Sequence, residues 1–315
     1  MAHAGWSHFE KVPVDQMPDT ERASILAELT PPFTLLKPAE QLTPVVFCSP
    51  HSGRIYPKAF LEASRLDAHT LRKSEDCYVD ELFEPVVAQG APLIAARFPR
   101  AYLDVNREPY ELDPELFQGR LPAFANTQSA RVIGGLGTIA RIVADTEDIY
   151  RERLPLGVAF ERIERLYGPF HGALAGLLES TRKRFGMAIL IDCHSMPSAT
   201  MGQPTGGRPH FVLGDRFGAS CDAKLTRFIR DVLQRSGFEV QINRPYAGGF
   251  ITEHYGSPGQ GVHALQLEIN RALYLDEATL SKNRDFPRLV RILSEMAVRV
   301  FDALPVLFER RAAAE

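Results

Sequence analysis

Two apolar runs in this 315-residue chain each end in a histidine, at the point where a turn begins. Residues 45–48 lead into Ser49-Pro50-His51-Ser52-Gly53, and residues 189–193 lead into His194. Short apolar runs bounded by turn residues are typical of buried strands. In a parallel sheet, the residues that follow the carboxyl ends of the strands line the crevice where ligands bind. The two runs therefore predict an α/β sheet that brings both imidazoles to one edge.

The other segments also alternate between extended and helical patterns, and they predict one α/β domain over residues 1–315. Its central sheet is expected to be mixed and mostly parallel, with helices on both faces. Further extended runs are predicted at residues 92–97, 101–105, 210–213, 238–242 and 264–269. Helices are predicted at residues 20–29, 71–88, 155–185 with one interruption near Gly168, 218–236 and 285–309. Residues 1–44 are expected to be peripheral, residues 108–126 and 243–261 to be loops, and residues 134–138 to form a wall or lid over the site.

Composition argues against several classes of function. The net charge is −3 at pH 7 without a basic block, which argues against a nucleic-acid partner. No apolar stretch approaches the length of a membrane span, and the first residues lack the basic and apolar regions of a signal peptide. The four cysteines show no CxxC spacing, so neither a zinc ribbon nor a disulfide framework is indicated. These features predict a cytoplasmic protein that acts on a small molecule, without an obligate protein partner.

A metal site is the functional interpretation of the two histidines. Asp192 lies two residues before His194 on the same strand face, where it can hydrogen-bond the imidazole of a metal ligand. The alternative is that each histidine only caps its strand. A third ligand could come from the acidic segment that includes Glu75, Asp76 and Asp80, although acids at the start of a helix also compensate its dipole. Two histidines and one carboxylate are typical of catalytic zinc, and non-haem iron uses similar ligands.

Two further clusters carry polar groups that a catalytic site could use. The Asn106-Arg107 pair follows a strand-like run, and a guanidinium binds a carboxylate through two parallel hydrogen bonds. The alternative is that Arg107 is an ordinary surface arginine that binds no ligand. Glu268 lies inside an apolar strand, where an unpaired carboxylate is unfavourable. Either Glu268 pairs with a cation such as Arg271, or it is the general base of a site.

Six blocks of the sequence, in order from about residue 45 to 275, resemble the N-formylglutamate amidohydrolase family, which releases formate from N-formyl-glutamate in one route of histidine degradation. The first three blocks are residues 47–54, residues 75–83 and residues 98–107. The others are Asp192-Cys193-His194-Ser195, residues 243–249 and residues 266–274. The blocks are specific for the family and less specific for the substrate, because relatives can act on other N-acyl amino acids.

That family is in turn similar to the zinc carboxypeptidase and aspartoacylase group, and this likeness implies a role for each site residue. It implies one zinc ion per chain, or another divalent transition metal, on two histidines and an acid, in a phosphorylase/hydrolase-like fold. That group has its ligand glutamate three residues after the first histidine, where this chain has Arg54, so the acid must come from elsewhere. Asp76 is the chosen ligand and Glu75 the alternative. The implied residues are, as metal ligands, His51, Asp76 and His194; as catalytic residues, Glu268 and Arg100; and as substrate-binding residues, Asn106 and Arg107.

The resemblance therefore implies a zinc-dependent hydrolase that cleaves N-formyl-L-glutamate to formate and L-glutamate. Arg141 and Arg244 are the two candidates for the second carboxylate of that substrate, because both lie in glycine-rich segments. One alternative is a deacylase for a larger acyl group. The other is a non-catalytic, metal-dependent binding protein, against which Glu268 argues because such a protein has no need of a base.

Overall fold

The computed structural model of the chain describes residues 19–143, 147–198 and 209–308. Its strands are β1 Phe33–Leu36, β2 Val45–Ser49, β3 Leu93–Ala96, β4 Ile142–Val143, β5 Glu147–Asp148, β6 Ala188–Met196, β7 Phe211–Gly214, β8 Val240–Ile242, β9 Val262–Asn270, β10 Leu275–Asp276 and β11 Ser281–Lys282. Its helices are α1 Asp19–Glu28, α2 Lys58–Ala63, α3 Ala68–Arg72, α4 Val79–Phe83, α5 Ala130–Ile133, α6 Leu156–Arg162, α7 Gly168–Phe185, α8 Ala223–Arg235, α9 Phe250–Tyr255 and α10 Phe286–Phe308. None of these helices has the length and apolarity that a membrane crossing requires.

The central sheet of the described residues has seven strands in the order β1-β3-β2-β6-β9-β7-β8. The four pairs β3–β2, β2–β6, β6–β9 and β7–β8 are parallel, whereas β1–β3 and β9–β7 are antiparallel. The interior strands β2 and β6 are buried along their whole length, as expected of parallel strands covered on both faces. The prediction of a mixed, mostly parallel sheet is confirmed.

Side-chain alternation divides the apolar core between the two faces of this sheet. Val46 and Leu190 pack on one face against residues of α1, α2, α6 and α7. Phe47 and Ile191 pack on the other face against residues of α4, α8 and α10. Each such side chain that is fully buried stabilises the fold by about 1.5–3 kcal/mol. Helices therefore cover both faces, as predicted.

The prediction of one continuous helix over residues 71–88 is wrong. The segment between the two helices found there forms part of the site. Helix α3 ends at Arg72, and α4 begins only at Val79, after Tyr78 adopts a left-handed backbone conformation. Between the two helices, the backbone N–H of Asp76 donates to the carbonyl oxygen of His51 at 3.0 Å. This long-range bond replaces a helical one, and it brings the acidic segment beside the end of β2.

Two other predicted features also differ, and two elements were not predicted. Residues 101–105 form a turn rather than a strand, because the N–H groups of Tyr102 and Leu103 both donate to the carbonyl oxygen of Pro99. The expected interruption near Gly168 is a π-helical stretch, Ile163–Tyr167, which joins α6 to α7 without a break. Strand β1 and helix α9 lie in segments where the sequence predicts no regular structure.

Candidate active site

Adjacent parallel strands place two of the predicted site residues side by side. Residues two apart on a strand share a face, so Asp192 and His194 follow Leu190 toward the carboxyl end of β6. In the register of β6 and β9, His194 pairs with Glu268, and Asp192 pairs with Gln266. His51 lies two residues beyond the end of β2, the neighbour of β6 on the other side. The sheet edge thus gathers polar side chains that are far apart in the sequence.

Three buried donor atoms form a compact group at this edge. Nδ1 of His51 lies 3.2 Å from Nδ1 of His194. Oδ2 of Asp76 lies 3.4 Å from the first of these nitrogens and 3.1 Å from the second. A tetrahedral zinc ion with bonds of about 2.0–2.1 Å separates its ligand atoms by about 3.3 Å. The three atoms therefore fit one face of such a coordination shell, and the donor set suits a divalent transition metal.

Each histidine has a carboxylate on its other nitrogen. Nε2 of His51 is hydrogen-bonded to Oδ1 of Asp104 at 2.7 Å, and Nε2 of His194 lies at ion-pair distance, 2.9 Å, from Oδ2 of Asp192. Such partners fix the ring orientation of a metal-binding histidine, and leave Nδ1 for the ion. The sequence predicts this role for Asp192. It does not predict it for Asp104, which the resemblance associates only with substrate binding.

Asp76 and Glu75 face different surroundings, although both are buried. Glu75 accepts hydrogen bonds from the hydroxyl of Tyr56 at 2.7 Å and from Nε of Arg72 at 3.1 Å. Oδ1 of Asp76 lies 3.3 Å from Nη2 of Arg271, and its Oδ2 faces the two histidines. Although burial alone would raise it, the hydrogen bonds from His194 and His51 hold the pKa of Asp76 well below its usual range. Asp76 is therefore the carboxylate that the structure places with the two imidazoles.

Glu268 is buried beside this group and is not paired with Arg271. The guanidinium of Arg271 donates instead to Oγ of Ser195 at 3.1 Å and to the carbonyl oxygen of Glu75 at 2.6 Å. Oε1 of Glu268 accepts a hydrogen bond from Nε2 of Gln266 at 2.8 Å. Burial raises the pKa of Glu268 to about 7. A carboxylate with such a pKa can exchange protons near neutral pH, as a general base must.

Two of the predicted arginines converge on Asp104. Nη2 of Arg100 donates to Oδ2 of Asp104 at 2.9 Å, and Nη2 of Arg107 lies 3.4 Å from the same oxygen. Although burial alone would raise it, the charges of Arg107, His51 and Arg100 hold the pKa of Asp104 well below its usual range. Asn106 is also held in place, because its Oδ1 accepts from the backbone N–H of Ile251 at 2.7 Å. The guanidinium groups are thus fixed before any substrate arrives.

A cavity of about 410 Å³ opens over these groups, and a narrower cleft of about 140 Å³ adjoins it and reaches His51 and His194. Residues 136–137 line the larger cavity, where the sequence predicts a wall. The two spaces share five lining residues, namely Arg100, Arg107, Arg131, Tyr246 and Glu268.

The two arginines predicted for a second carboxylate are sequence neighbours of lining residues, since Arg141 lies between Ala140 and Ile142 and Arg244 precedes Pro245. Neither Arg141 nor Arg244 is among the described residues that line the cavity or the cleft. Nε of Arg141 donates to Oδ2 of Asp113 at 2.7 Å, and its Nη1 donates to Oδ1 of Asp148 at 3.1 Å. Arg131 does line both spaces, and sequence reasoning missed it because an exposed arginine in a four-residue helix has no distinguishing signal.

Comparisons with known proteins agree with these features. The profile of the family described as N-formylglutamate amidohydrolase matches residues 43–275. The N-formylglutamate deformylase of Pseudomonas putida is 31% identical over 237 residues, which are 74% of this chain and 82% of that protein. The enzyme of the same name from Pseudomonas aeruginosa is 31% identical over 239 residues, covering 74% of this chain and 83% of that one. The crystal structure of N-formylglutamate amidohydrolase from Ralstonia eutropha JMP134 matches with a TM-score of 0.83 and 34% identity, over 87% of this chain and 99% of that chain. The chain therefore belongs to the N-formylglutamate amidohydrolase family, as its six sequence blocks predict.

Proposed function

We propose that the protein hydrolyses N-formyl-L-glutamate to formate and L-glutamate, in the cytoplasm and as a step of histidine degradation. The observation that carries the proposal is the group of three donor atoms, on His51, Asp76 and His194, beside the buried Glu268. Family membership and the names of the relatives support the choice of reaction and substrate.

The proposed cofactor is one zinc ion per chain, with another divalent transition metal as the alternative. His51, Asp76 and His194 would hold it, and Asp104 and Asp192 would orient the two imidazoles. A metal ion bound there would polarise the formyl carbonyl and lower the pKa of a water molecule. Asp76, Asp104 and Asp192 lie together at this edge, so a dication would reduce the repulsion among their charges.

Glu268 is the proposed general base. Its carboxylate takes a proton from the attacking water, whose oxygen forms a bond to the formyl carbon. When the carbon–nitrogen bond breaks, Glu268 returns that proton to the departing amine. A pKa of about 7 suits both transfers, because the group can accept and release a proton at neutral pH.

Arg100 is proposed to stabilise the negative charge that develops on the carbonyl oxygen. It lines the cavity next to Glu268, and its bond to Asp104 fixes its orientation. A donor that is already in place when charge develops can lower the reaction barrier by about 3–4 kcal/mol.

Asn106 and Arg107 are proposed to hold the carboxylate next to the scissile amide. Both line the cleft that reaches the two histidines. The names of the relatives favour a deformylase over the alternative of a deacylase for larger acyl groups.

Formate release tests the proposal directly. The purified protein is assayed with N-formyl, N-acetyl and N-succinyl-L-glutamate, first as isolated, then after chelation, and then after addition of zinc. The expected result is formate from the first substrate only, lost with the chelator and restored by the metal. Release of amine from a larger acyl substrate instead would identify a different deacylase, and metal binding without turnover on any substrate would identify a binding protein.

A further inference from the structure

Arg131 lies in the short helix α5, and the turn that follows this helix is bonded to the proposed carboxylate clamp. Helix α5 begins after Ser129, whose Oγ accepts from the N–H of Val132 at 3.1 Å. The N–H of Leu136 donates to the carbonyl oxygen of Arg131 at 2.8 Å. The carbonyl oxygen of Leu136 in turn accepts from Nε of Arg107 at 2.9 Å. Two consecutive hydrogen bonds therefore fix the backbone of Arg131 relative to the guanidinium of Arg107.

Most cationic side chains of the cavity already have acceptors within the protein. Arg100 and Arg107 share Asp104, and Arg271 is bonded to Ser195 and Asp76. Arg131 differs, because in the described parts of the chain no hydrogen bond or ion pair involves its exposed guanidinium. Lys73, which also lines the larger cavity, has the same property.

Position distinguishes these two cations. Arg131 lines both the larger cavity and the narrow cleft that reaches His51 and His194, whereas Lys73 lines only the larger cavity. Arg107 and Arg131 line the same two spaces, so their like charges repel each other there. Burial lowers the pKa of Arg107, and the charges of Arg100 and Arg131 act in the same direction, whereas Asp104 raises it. A ligand with two negative charges would relieve that repulsion, and one with a single charge would relieve it less.

We propose that Arg131 binds the distal carboxylate of the substrate, while Arg107 binds the carboxylate next to the scissile amide. This inference rests on the proposed function and adds a specificity residue to it. The site would then select N-acyl amino acids with an acidic side chain. Arg141 is paired with Asp113 and with Asp148 of β5. It would instead hold these segments together.

The experiment compares wild type with R131Q, K73Q and R227Q on N-formyl-L-glutamate and N-formyl-L-glutamine, which differ in the distal charge alone. Arg227 is an exposed arginine of α8 and is the matched control for loss of one positive charge. In wild type we expect kcat/KM to be at least tenfold higher for the glutamate substrate. In R131Q that preference should fall to about twofold or less, through a higher KM for N-formyl-L-glutamate, while the rate on N-formyl-L-glutamine is retained. R227Q should keep the wild-type preference.

Activity on N-formyl-L-glutamine serves as a fold control within the same variant. If R131Q kept the full preference, or if K73Q lost it instead, the assignment of Arg131 would be overturned. If wild type released no formate from either substrate, the proposed function itself would fail, and this outcome is distinct from the previous two. A charge-reversed variant, R131E, should favour N-formyl-L-lysine over N-formyl-L-glutamate, and an unchanged order of the two would also contradict the assignment.

Discussion

Nε2 of His51 lies 2.7 Å from Oδ1 of Asp104, and this contact links the proposed metal site to the proposed substrate clamp. The other oxygen of Asp104 accepts from Arg100, and Arg107 lies nearby. One carboxylate therefore orients a proposed metal ligand and two cations proposed to face the substrate. Asp104 therefore couples the proposed metal binding to the proposed substrate binding, because a change at Asp104 alters the contacts of His51 and of the two arginines.

The first prediction concerns that carboxylate. Asp104→Asn keeps its shape and removes its charge, so His51 loses its ionic partner. We expect zinc affinity to fall by about 10- to 100-fold, the usual effect of losing such a partner. Competition with a chromophoric chelator measures the affinity. The control is Asp67→Asn, in which the new side chain still caps α3. Equal zinc affinity in both variants would show that Asp104 does not support the ligand.

The second prediction separates the two adjacent acids. Asp76→Ala should abolish stoichiometric zinc binding, as should His194→Ala, because each removes one of three donor atoms. Glu75→Gln should retain zinc, since its carboxylate is bonded to Tyr56 and Arg72 rather than to the histidines. Metal content by atomic emission, together with a far-ultraviolet circular dichroism spectrum of each variant, checks this. Metal loss in Glu75→Gln but not in Asp76→Ala would reverse the ligand assignment.

The third prediction concerns the base. Glu268→Gln keeps the size of the side chain and removes its proton acceptor, so turnover should fall by about two to four orders of magnitude. KM and metal content should change little. The free energy of unfolding should not decrease, because the variant no longer buries a carboxylate. Steady-state formate release and urea unfolding measure these quantities. Turnover within a few-fold of wild type would mean that another group accepts the proton.

Much of the site was predictable from the sequence because its residues follow buried strands. His51, His194 and Glu268 adjoin apolar runs whose period and length predict interior strands, and parallel strands deliver such residues to one edge. The family resemblance assigned their roles. Strand pairing then placed His194 opposite Glu268, which pattern alone does not specify.

The positions of Asp76, Asp104 and Arg131 could not be predicted, because they depend on contacts between segments that are distant in the sequence. The bond from the N–H of Asp76 to the carbonyl of His51 interrupts a segment whose apolar spacing is helical. The turn after Pro99 brings Asp104 under His51, although the local sequence reads as a strand. The position of Arg131 depends on how the loop bonds to Arg107 through Leu136. Neither periodicity nor local propensity carries such information, since each concerns only neighbouring residues.

The fourth prediction concerns stability at acid pH. Burial, together with the nearby His254, lowers the pKa of His171 to about 3, although the hydrogen bond to the carbonyl of Val105 acts in the opposite direction. Nε2 of His171 lies 2.8 Å from the carbonyl oxygen of Val105, and its Nδ1 lies 2.8 Å from the hydroxyl oxygen of Tyr255, so a neutral ring can donate to the first and accept from the second. Tyr167 also packs against this ring and carries no charge in this range.

An unfolded histidine has a pKa of about 6.5, so between about pH 6.5 and pH 3 the unfolded chain binds the additional proton. The contribution of His171 is therefore fully present above pH 6.5 and decreases as the pH falls, by a few kcal/mol at most. Urea unfolding of wild type and His171→Gln at pH 7, 6, 5 and 4 should show a steeper decline in wild type. Parallel curves for the two proteins would mean that His171 takes up its proton in the folded state.

The last prediction concerns the clamp. Arg107 donates to the carbonyl oxygens of Leu136 and Asn106 and lies beside Asp104, so its planar group is held in one orientation. A lysine keeps the charge but presents a single compact ammonium, which cannot bind a carboxylate through two parallel bonds. Arg107→Lys should therefore lower kcat/KM on N-formyl-L-glutamate by at least about tenfold, the equivalent of one charge-assisted hydrogen bond. N-formyl-L-isoglutamine lacks the carboxylate next to the amide, and on this substrate the variant and wild type should differ much less. An equal loss on both substrates would mean that Arg107 supports the loop and Asp104 without touching the carboxylate. Arg182→Lys, a matched change on the exposed face of α7, should leave both rates unaltered.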